Sequence, residues 1–159
     1  MSDRLAPETN ASDARLRLAF GVLTEAGIVT QLATALLEAR LPKGMVAAQF
    51  SVLNHLASRP DGQTPLRIAR AFQVPKTSMT HSLAMLERAG LVETAPNPED
   101  GRSKLVRITQ AGRAFRADVL AALAPDMARS LSALEAGTLE ALLPRLIHLR
   151  EVLDAARDT

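Results

Sequence analysis

The stretch TPLRIARAFQVPKTSMTHSLAMLERAGLVETAPNPEDGRSKLVRIT, residues 64–109, decides the fold, because it predicts two short helices followed by two short strands. Thr64 stands directly before a proline, which is a favourable pairing of N-cap and first helical residue, so a helix is predicted over Pro65–Phe72. The next three residues leave room only for a tight turn. A second helix is predicted over Lys76–Ala89, and two helices joined in this way form a helix-turn-helix unit.

The second of these helices is amphipathic. At 100° per residue Met79, Leu83 and Leu86 fall within one apolar stripe. An outer face that is small and polar, with basic groups beside it, can enter a major groove and hydrogen-bond to base edges. An ordinary surface helix shows the same pattern, so this helix alone does not decide the function. The outer face and its flanks consist of Lys76, Thr77, Thr80, His81, Ala84 and Arg88.

Gly90 supplies a left-handed cap for the second helix, and two short strands follow it. Residues 91–95 and 104–109 are typical of strands, the second being rich in β-branched side chains. The loop 96–103 between them contains turn-forming residues and is too long for a tight hairpin. A strand pair directly after a recognition-type helix, with basic residues at its tip, is a wing. Arg102 would lie where a guanidinium can reach the negative potential of a minor groove.

Two helices are predicted before this region. The first begins at Ser12 or Asp13, both good N-cap residues, and runs to about Arg40, where a Leu-Pro-Lys-Gly stretch breaks it. The second begins at Val46 and stops before Pro60. Both carry apolar residues at helical spacing, so both are expected to contribute to a core.

Helices are also predicted after the strands. Thr109 can cap a helix that Pro125 should kink or end, and Ser132 with Glu135 forms a capping box for a last helix. Pro144 should bend that last helix. Its wide apolar stripe consists of Leu139, Leu142, Leu143, Leu146, Leu149 and Leu153.

Composition restricts the class of protein before any motif is considered. The chain has 159 residues, of which 47% are hydrophobic and 23% are charged, as in a folded soluble domain. Aromatic residues make up only 3%, so the core is expected to consist of aliphatic side chains that favour helices. With no Cys, the chain can form neither disulfides nor thiolate zinc sites.

Positive charge is concentrated in the middle of the chain. Residues 1–58 carry five basic and five acidic residues, residues 59–116 carry ten and five, and residues 117–159 carry four and seven. The middle third is where a polyanion would be expected to dock. A solvated basic surface would show the same excess, so charge alone leaves both interpretations open.

Residues 49–112 resemble the MarR family of winged-helix regulators most strongly, and the likeness extends over nearly the whole chain. The sequences TSMTH at 77–81 and LERAGLV at 86–92 look like the family's recognition helix and its exit into the wing. The sequence NPEDGRSK at 97–104 is similar to the wing signature. A helix-turn-helix pattern alone is weak evidence, whereas its combination with an Asp-x-Arg wing at this distance is specific.

This resemblance implies a mainly α-helical fold with a small β wing, acting as a homodimer on double-stranded DNA. It implies an N-terminal dimerisation helix (1–45), a winged helix-turn-helix lobe (46–112) and C-terminal dimerisation helices (113–159). Two lobes held in this way would bind a pseudo-palindromic operator. We therefore expect a sequence-specific transcription regulator that acts as a repressor and is released by a small effector.

The same resemblance assigns roles to individual residues. Asp100 and Arg102 match the wing's paired positions, where the carboxylate is expected to hold the guanidinium that enters the minor groove. His81 stands where the family often has Arg, and Pro75 where it often has Ser, so the usual hydroxyl cap is missing. The expected base readers are Thr77, Thr80 and His81, the expected phosphate contacts are Arg67, Arg70 and Lys76, and Ser78, Asp100, Arg102 and Lys104 complete the expected DNA-binding set.

Other classes of protein fit the sequence less well. An enzyme is not expected, because there is no phosphate-binding Gly loop, no His-Glu-x-x-His, no Cys nucleophile and no Gly-x-Ser-x-Gly. A metal-sensing module is an alternative, because His148 and Glu151 lie one helical turn apart, but such pairs are common by chance. A winged domain that contacts protein or RNA is another alternative. No cofactor and no metal site are expected.

Two further expectations concern a small-molecule effector and the cellular location of the protein. The resemblance suggests a small aromatic or anionic ligand in a crevice between the dimerisation helices and the winged lobe. Arg17 and His55 are candidate anion contacts on the first two helices, although a solvated-surface or core role fits each of them better. The segment MSDRL at 1–5 lacks a basic region followed by an apolar run, and no stretch of about 18 uninterrupted apolar residues occurs, so we expect a cytoplasmic protein outside the membrane.

Overall fold

A computed structural model describes residues 6–157, with side chains over 12–156. The mainly helical class with a small β wing is confirmed. Over the described residues the elements are α1 (Ala6–Glu38), α2 (Ala47–Ala57), α3 (Pro65–Ala71), α4 (Lys76–Arg88), β1 (Val92–Asn97), β2 (Asp100–Ile108), α5 (Gln110–Ser130) and α6 (Thr138–Arg157).

The helix-turn-helix unit forms where the sequence predicts it. The Thr64 hydroxyl oxygen accepts a hydrogen bond from the backbone N–H of Arg67 at 3.3 Å, which caps α3. In the turn, Gln73 has φ of +57°, and Gly90 after α4 has φ of +70°. These left-handed residues reverse the chain within a few positions, which allows α3 and α4 to pack against each other.

One aliphatic core joins α2, α3, α4 and the base of the wing. Met79, Leu83 and Leu86 of α4 point into this core, as their spacing predicts. Because the three side chains occupy one stripe of α4, burying them leaves the opposite face of that helix in solvent. The buried residues of the cluster are Val52, Leu53, Leu56, Ile68, Ala69, Met79, Leu83, Leu86, Leu91, Val92, Val106 and Ile108.

The strands of the wing are longer, and the turn between them is tighter, than the sequence predicts. β1 and β2 pair antiparallel from Val92 with Ile108 to Pro96 with Lys104, and Asn97 then pairs with Asp100. The expectation of a loop too long for a tight hairpin was therefore wrong, because only two residues separate the strands. The jump in register leaves Gly101, Arg102 and Ser103 of β2 without register partners on β1, and these three residues form a bulge at the tip.

Two predicted helix starts were wrong. The first helix begins at Ala6 and not at Ser12 or Asp13, because a proline at its second position is tolerated in a first turn. The last helix begins at Thr138 and not at Ser132. The Ser132 hydroxyl donates to the carbonyl of Arg129 at 2.9 Å, and so belongs to the end of α5.

The structure divides into two compact units, up to Ala124 and from Pro125 onward. Pro125 lies within α5 and Pro144 lies within α6, so neither proline ends its helix. In α1, the segment Ser12–Glu38 is long and apolar enough to cross a membrane by length and composition, with a mean hydropathy of 1.5 and none of it buried. One such helix is weak evidence for a membrane span, because the core helix of a soluble protein and a signal sequence meet the same criterion.

Candidate nucleic-acid interface

The exposed face of α4 carries the residues predicted to contact DNA. Its 13 residues span about 20 Å, enough to lie along a major groove. Thr77 and His81 project opposite the buried stripe, while Ser78 and Thr80 lie on its two flanks. All of these side chains are exposed. Short polar groups on a rigid helix can approach base edges closely.

Thr80 has a defined hydrogen-bonding role within α4. Its hydroxyl donates to the carbonyl of Lys76 at 2.8 Å, so the hydroxyl hydrogen is engaged and the oxygen remains available as an acceptor. Pro75 occupies the N-cap position and makes no side-chain cap hydrogen bond, as its sequence predicts. Lys76 therefore begins a helix whose first turn receives no side-chain cap.

A network of side-chain hydrogen bonds holds the tip of the wing. The Asp100 carboxylate accepts from the backbone N–H of Arg102 at 3.0 Å. The Asn97 amide donates to the Ser103 hydroxyl at 2.8 Å, and its carbonyl oxygen accepts from the backbone N–H of Glu99 at 3.1 Å. The Ser103 hydroxyl donates in turn to the Asp100 carbonyl at 3.2 Å. These bonds fix the backbone of an exposed turn that has no apolar core of its own.

The expected contact between Asp100 and the Arg102 guanidinium does not form within the described part of the chain. Asp100 orients the backbone of Arg102 instead, because the short aspartate side chain reaches the amide two residues later in an Asx turn. The guanidinium of Arg102 extends from this turn as an exposed cation. Asp100 therefore positions Arg102 through the main chain.

A cleft of about 840 Å³ lies between the wing, the start of α3 and the start of α4. It brings together five of the predicted residues. Five basic residues line it against three acidic ones, so the cleft is cationic overall. The predicted residues in its wall are Arg67, Lys76, Asp100, Arg102 and Lys104.

Three further residues of this cleft were missed by the sequence analysis. Arg107 lines the cleft, and its Nε donates to the carbonyl of Asp61 at 3.1 Å. The alternation of β2 could have identified it, because Arg107 lies between the buried Val106 and Ile108 and so faces the other side of the strand. Asn97 and Ser103 gave no such signal, because their role depends on the register of the hairpin.

The remaining predicted residues lie outside the walls of the cleft. Thr77, Ser78, Thr80 and His81 lie along α4, and Arg70 is exposed near the end of α3. Apart from Arg70, the predicted contacts therefore form a surface with two parts, which meet at Lys76, the first residue of α4. The first part is the polar face of α4, and the second is the cationic cleft beside the wing.

A second cavity, of about 510 Å³, lies between the end of α1, the exposed side of α2 and the residue that follows α3. His55 is in its wall, as one of the two expected effector contacts. Arg17 is not in the wall, because it lies about 20 residues, or roughly 30 Å of helix, before the part of α1 that reaches the cavity. The lining residues are Leu37, Phe50, Ser51, Asn54, His55, Ser58, Arg59 and Phe72.

Metal-binding groups are not assembled in the part of the chain that the structure describes. No three His, Asp or Glu side chains there come together as potential ligands. Glu151 was considered with His148 as a pair of metal ligands, and its carboxylate lies 3.5 Å from the guanidinium of Arg150. The alternative of a metal-sensing module gains no support from this geometry.

Known proteins share this sequence and this fold. A sequence model of the MarR family matches residues 43–103. The multiple antibiotic resistance protein MarR of Escherichia coli is 32% identical over 110 residues, which is 67% of this chain and 76% of that protein. The transcriptional activatory protein BadR of Rhodopseudomonas palustris is 32% identical over 120 residues, which is 71% of this chain and 66% of BadR, just under two thirds of its length.

A solved structure of one of these relatives is also similar to this chain. The crystal structure of wild-type MarR from Escherichia coli, in its apo form, is similar with a TM-score of 0.67 and 31% identity, and the match covers 77% of this chain and 94% of that one. The winged helix-turn-helix, its cationic cleft and these likenesses lead to one conclusion: the chain belongs to the MarR family of DNA-binding transcriptional regulators, which are not enzymes.

Proposed function

We propose that this protein is a homodimeric, sequence-specific repressor that binds a pseudo-palindromic operator in double-stranded DNA and is released by a small aromatic or anionic effector. The observation that carries the proposal is the position of the cationic cleft directly beside the exposed polar face of α4. Polar groups there can read bases while neighbouring cations bind phosphates. As MarR-family regulators are soluble DNA-binding proteins, we place it in the cytoplasm.

In this proposal α4 enters the major groove and the wing reaches the adjacent minor groove. Thr77, Thr80 and His81 read base edges, and Ser78 lies beside them on α4. Thr80 presents an acceptor and so favours a base-edge amino group, as on adenine or cytosine. Phosphates are bound by Arg67, Arg70, Lys76 and Lys104, while Asp100 aligns Arg102 for the minor groove.

Dimerisation is supported by apolar side chains that the single chain leaves in solvent. On α1, Leu18 and Phe20 are 71% and 70% exposed, and on α6, Leu142 and Leu146 are 45% and 42% exposed. Exposed apolar side chains that cluster on a surface commonly mark sites of protein–protein contact. A second copy of the chain would cover them, and a two-fold axis would then relate the two winged lobes to two operator half-sites.

Repression is the simplest consequence of binding by such a dimer. Where the operator overlaps a promoter, a protein that occupies adjacent major and minor grooves excludes RNA polymerase. The relative BadR is described as an activatory protein, so the sign of regulation is a property to measure for each regulator. Transcription in vitro from the region upstream of the protein's own gene tests it, with repression expected and activation contradicting the proposal.

The second cavity is the proposed effector site. His55 and Phe72 supply ring surfaces whose centroids lie 5.3 Å apart, and the half-buried Arg59 supplies a cation. Arg59 donates to the His55 carbonyl at 3.0 Å and to the Ser58 hydroxyl at 2.8 Å, which holds its guanidinium at the cavity wall. A ring together with a fixed cation suits a small aromatic carboxylate.

Replacing Arg102 with alanine should weaken operator binding strongly without changing dimerisation, because Arg102 is an exposed residue of the wing tip. The slope of log affinity against log salt should fall by about 1. Asp100→Ala should weaken binding less, since it releases the backbone of the turn but keeps the guanidinium. Lys43→Ala is the control, because this exposed cation does not line the cleft. Unchanged affinity and slope for Arg102→Ala would exclude the wing from DNA binding.

Substitutions on the polar face of α4 should change sequence specificity, whereas substitutions of the neighbouring cations Arg67 and Lys76 should not. Thr77→Ala, Thr80→Ala and His81→Ala should each relax discrimination at one operator position by about 1 to 3 kcal/mol. Arg67→Ala and Lys76→Ala should weaken operator and random DNA alike, because phosphates carry no sequence information. Fluorescence anisotropy with single-base operator variants measures both. Equal losses on operator and random DNA for the three α4 variants would contradict the assignment.

A charge in the apolar face of α6 should dissociate or unfold the dimer. Each buried leucine contributes about 1.5 to 3 kcal/mol, and the two-fold axis applies the loss twice for Leu146→Asp. Leu134→Asp is a matched control, because Leu134 is 44% exposed and lies between α5 and α6. Sedimentation velocity at micromolar concentration is the measurement. A wild-type protein that sediments as a monomer would refute dimerisation.

Benzoate, as a simple aromatic carboxylate, should bind the second cavity and weaken operator binding. Arg59→Gln should reduce the benzoate affinity about tenfold or more, because it removes a charge-assisted hydrogen bond. Arg67→Gln is the control, since Arg67 lies in the cationic cleft. Isothermal titration calorimetry measures the binding. No binding by the wild type, or equal losses in the two variants, would argue against this cavity as a site for aromatic carboxylates.

A further inference from the structure

His55 contacts the chain on both sides of α3, the first helix of the helix-turn-helix. Its Nε2 lies 2.8 Å from the Oε1 of Gln63, two residues before α3 begins. Oε1 can only accept, so the Nε2–H of His55 donates this bond. The same ring packs edge-on against Phe72, directly after α3 ends, at an interplanar angle of 67°. One side chain in the wall of the second cavity thus contacts both ends of α3.

Gln63 connects this histidine to the wing. Its backbone N–H donates to the carbonyl of Val106 at 3.1 Å, and the N–H of Val106 donates to the carbonyl of Gln63 at 2.9 Å. Val106 belongs to β2 and is only 2% exposed. Gln63 itself lines the cationic cleft, whereas His55 lines the second cavity. A single side-chain hydrogen bond therefore joins the walls of the two cavities.

The approach of this segment to β2 is close. Gly62 has φ of +82°, and a Cβ placed there would lie 2.7 Å from the Cγ of Arg107 and 2.9 Å from the carbonyl oxygen of Val106. A change in the position of Gln63 is thus transmitted directly to the strand that carries Arg107, with little space to absorb it.

We propose that Gln63 is a positioning residue through which the second cavity controls the wing. While His55 donates to Gln63, the Gln63–Val106 pair is held and the wing keeps its place beside α4. A ligand whose acceptor atom takes the Nε2–H of His55 breaks that bond and loosens the base of the wing. The inference rests on the proposed function for its regulatory meaning, but the coupling itself is a property of the free protein.

Amide hydrogen exchange in the full-length protein without DNA tests the coupling. Gln63→Met removes the acceptor at similar length, and His55→Phe removes the donor while keeping an aromatic ring against Phe72. Each should speed exchange at the Val106 amide about three- to tenfold, the loss of one ordinary hydrogen bond. Gln110→Met is the matched control, because this exposed glutamine begins α5 outside both cavities, and it should leave exchange at Val106 unchanged.

Two further variants separate positioning from a general loss of stability. Gln63→Glu keeps an acceptor at the same length and should restore exchange at Val106 close to that of the wild type. The double variant with His55→Phe and Gln63→Met should exchange no faster than either single variant, because both remove the same bond. Unchanged exchange at Val106 in Gln63→Met, no rescue by Gln63→Glu, or additive effects in the double variant would each overturn the proposal.

Binding of the operator by the wild type, measured alongside, separates the two levels of inference. Faster exchange at Val106 in a protein that binds no operator would support the coupling and refute the proposed function. Normal operator binding by the wild type, with exchange at Val106 unchanged in Gln63→Met, would support the proposed function and refute the coupling.

Discussion

The hydroxyl of Thr109 holds together α4, the wing and α5, the three elements on which the proposed DNA-binding surface depends. It donates to the carbonyl of Gly90 at 2.7 Å, where α4 ends, and accepts from the backbone N–H of Gly112 at 2.9 Å, which caps α5. The backbone N–H of Thr109 donates to the carbonyl of Leu91 at 3.1 Å. The two ends of the wing are thereby joined at one point, so the wing leaves the lobe at a fixed place relative to α4.

Gly112 makes this junction possible. A Cβ at this position would collide with the carbonyl oxygen of Leu91 and would lie 2.8 Å from the Cγ1 of Ile108. Only glycine lets the first turn of α5 approach the chain so closely. Backbone contacts at Leu91 and Thr109 therefore set the distance between the end of α4 and the start of the wing, and the cationic side chains act from this frame.

Two kinds of interaction position the side chains of the proposed DNA-binding surface. On α4 the burial of Met79 and Leu83 orients the helix, so short side chains on its other face are placed without long-range bonds of their own. At the wing tip no apolar burial is available, and Asn97 and Asp100 hold the turn by hydrogen bonds to neighbouring groups. Sequence specificity is expected from the first part and electrostatic affinity from the second.

Local signals in the sequence predicted the helix-turn-helix well. Thr64 as a cap and Gly90 as a left-handed terminator act within one turn of the chain, so their effect does not depend on the rest of the fold. The start of the last helix was wrong for the opposite reason. The Ser132 hydroxyl could either cap a new helix or bond to the end of α5, and it donates to the carbonyl of Arg129 near the end of α5.

The amino-acid sequence by itself determined the order of elements, the face of α4 that is buried, and the basic character of the wing, because periodicity, caps and charge are local properties. Tertiary structure alone decided the register of the hairpin, which pairs Asn97 with Asp100 and brings Asn97 to Ser103. It also decided the contact of His55 with Gln63. Such contacts depend on how separate elements approach one another, and that approach is set by packing of the whole core.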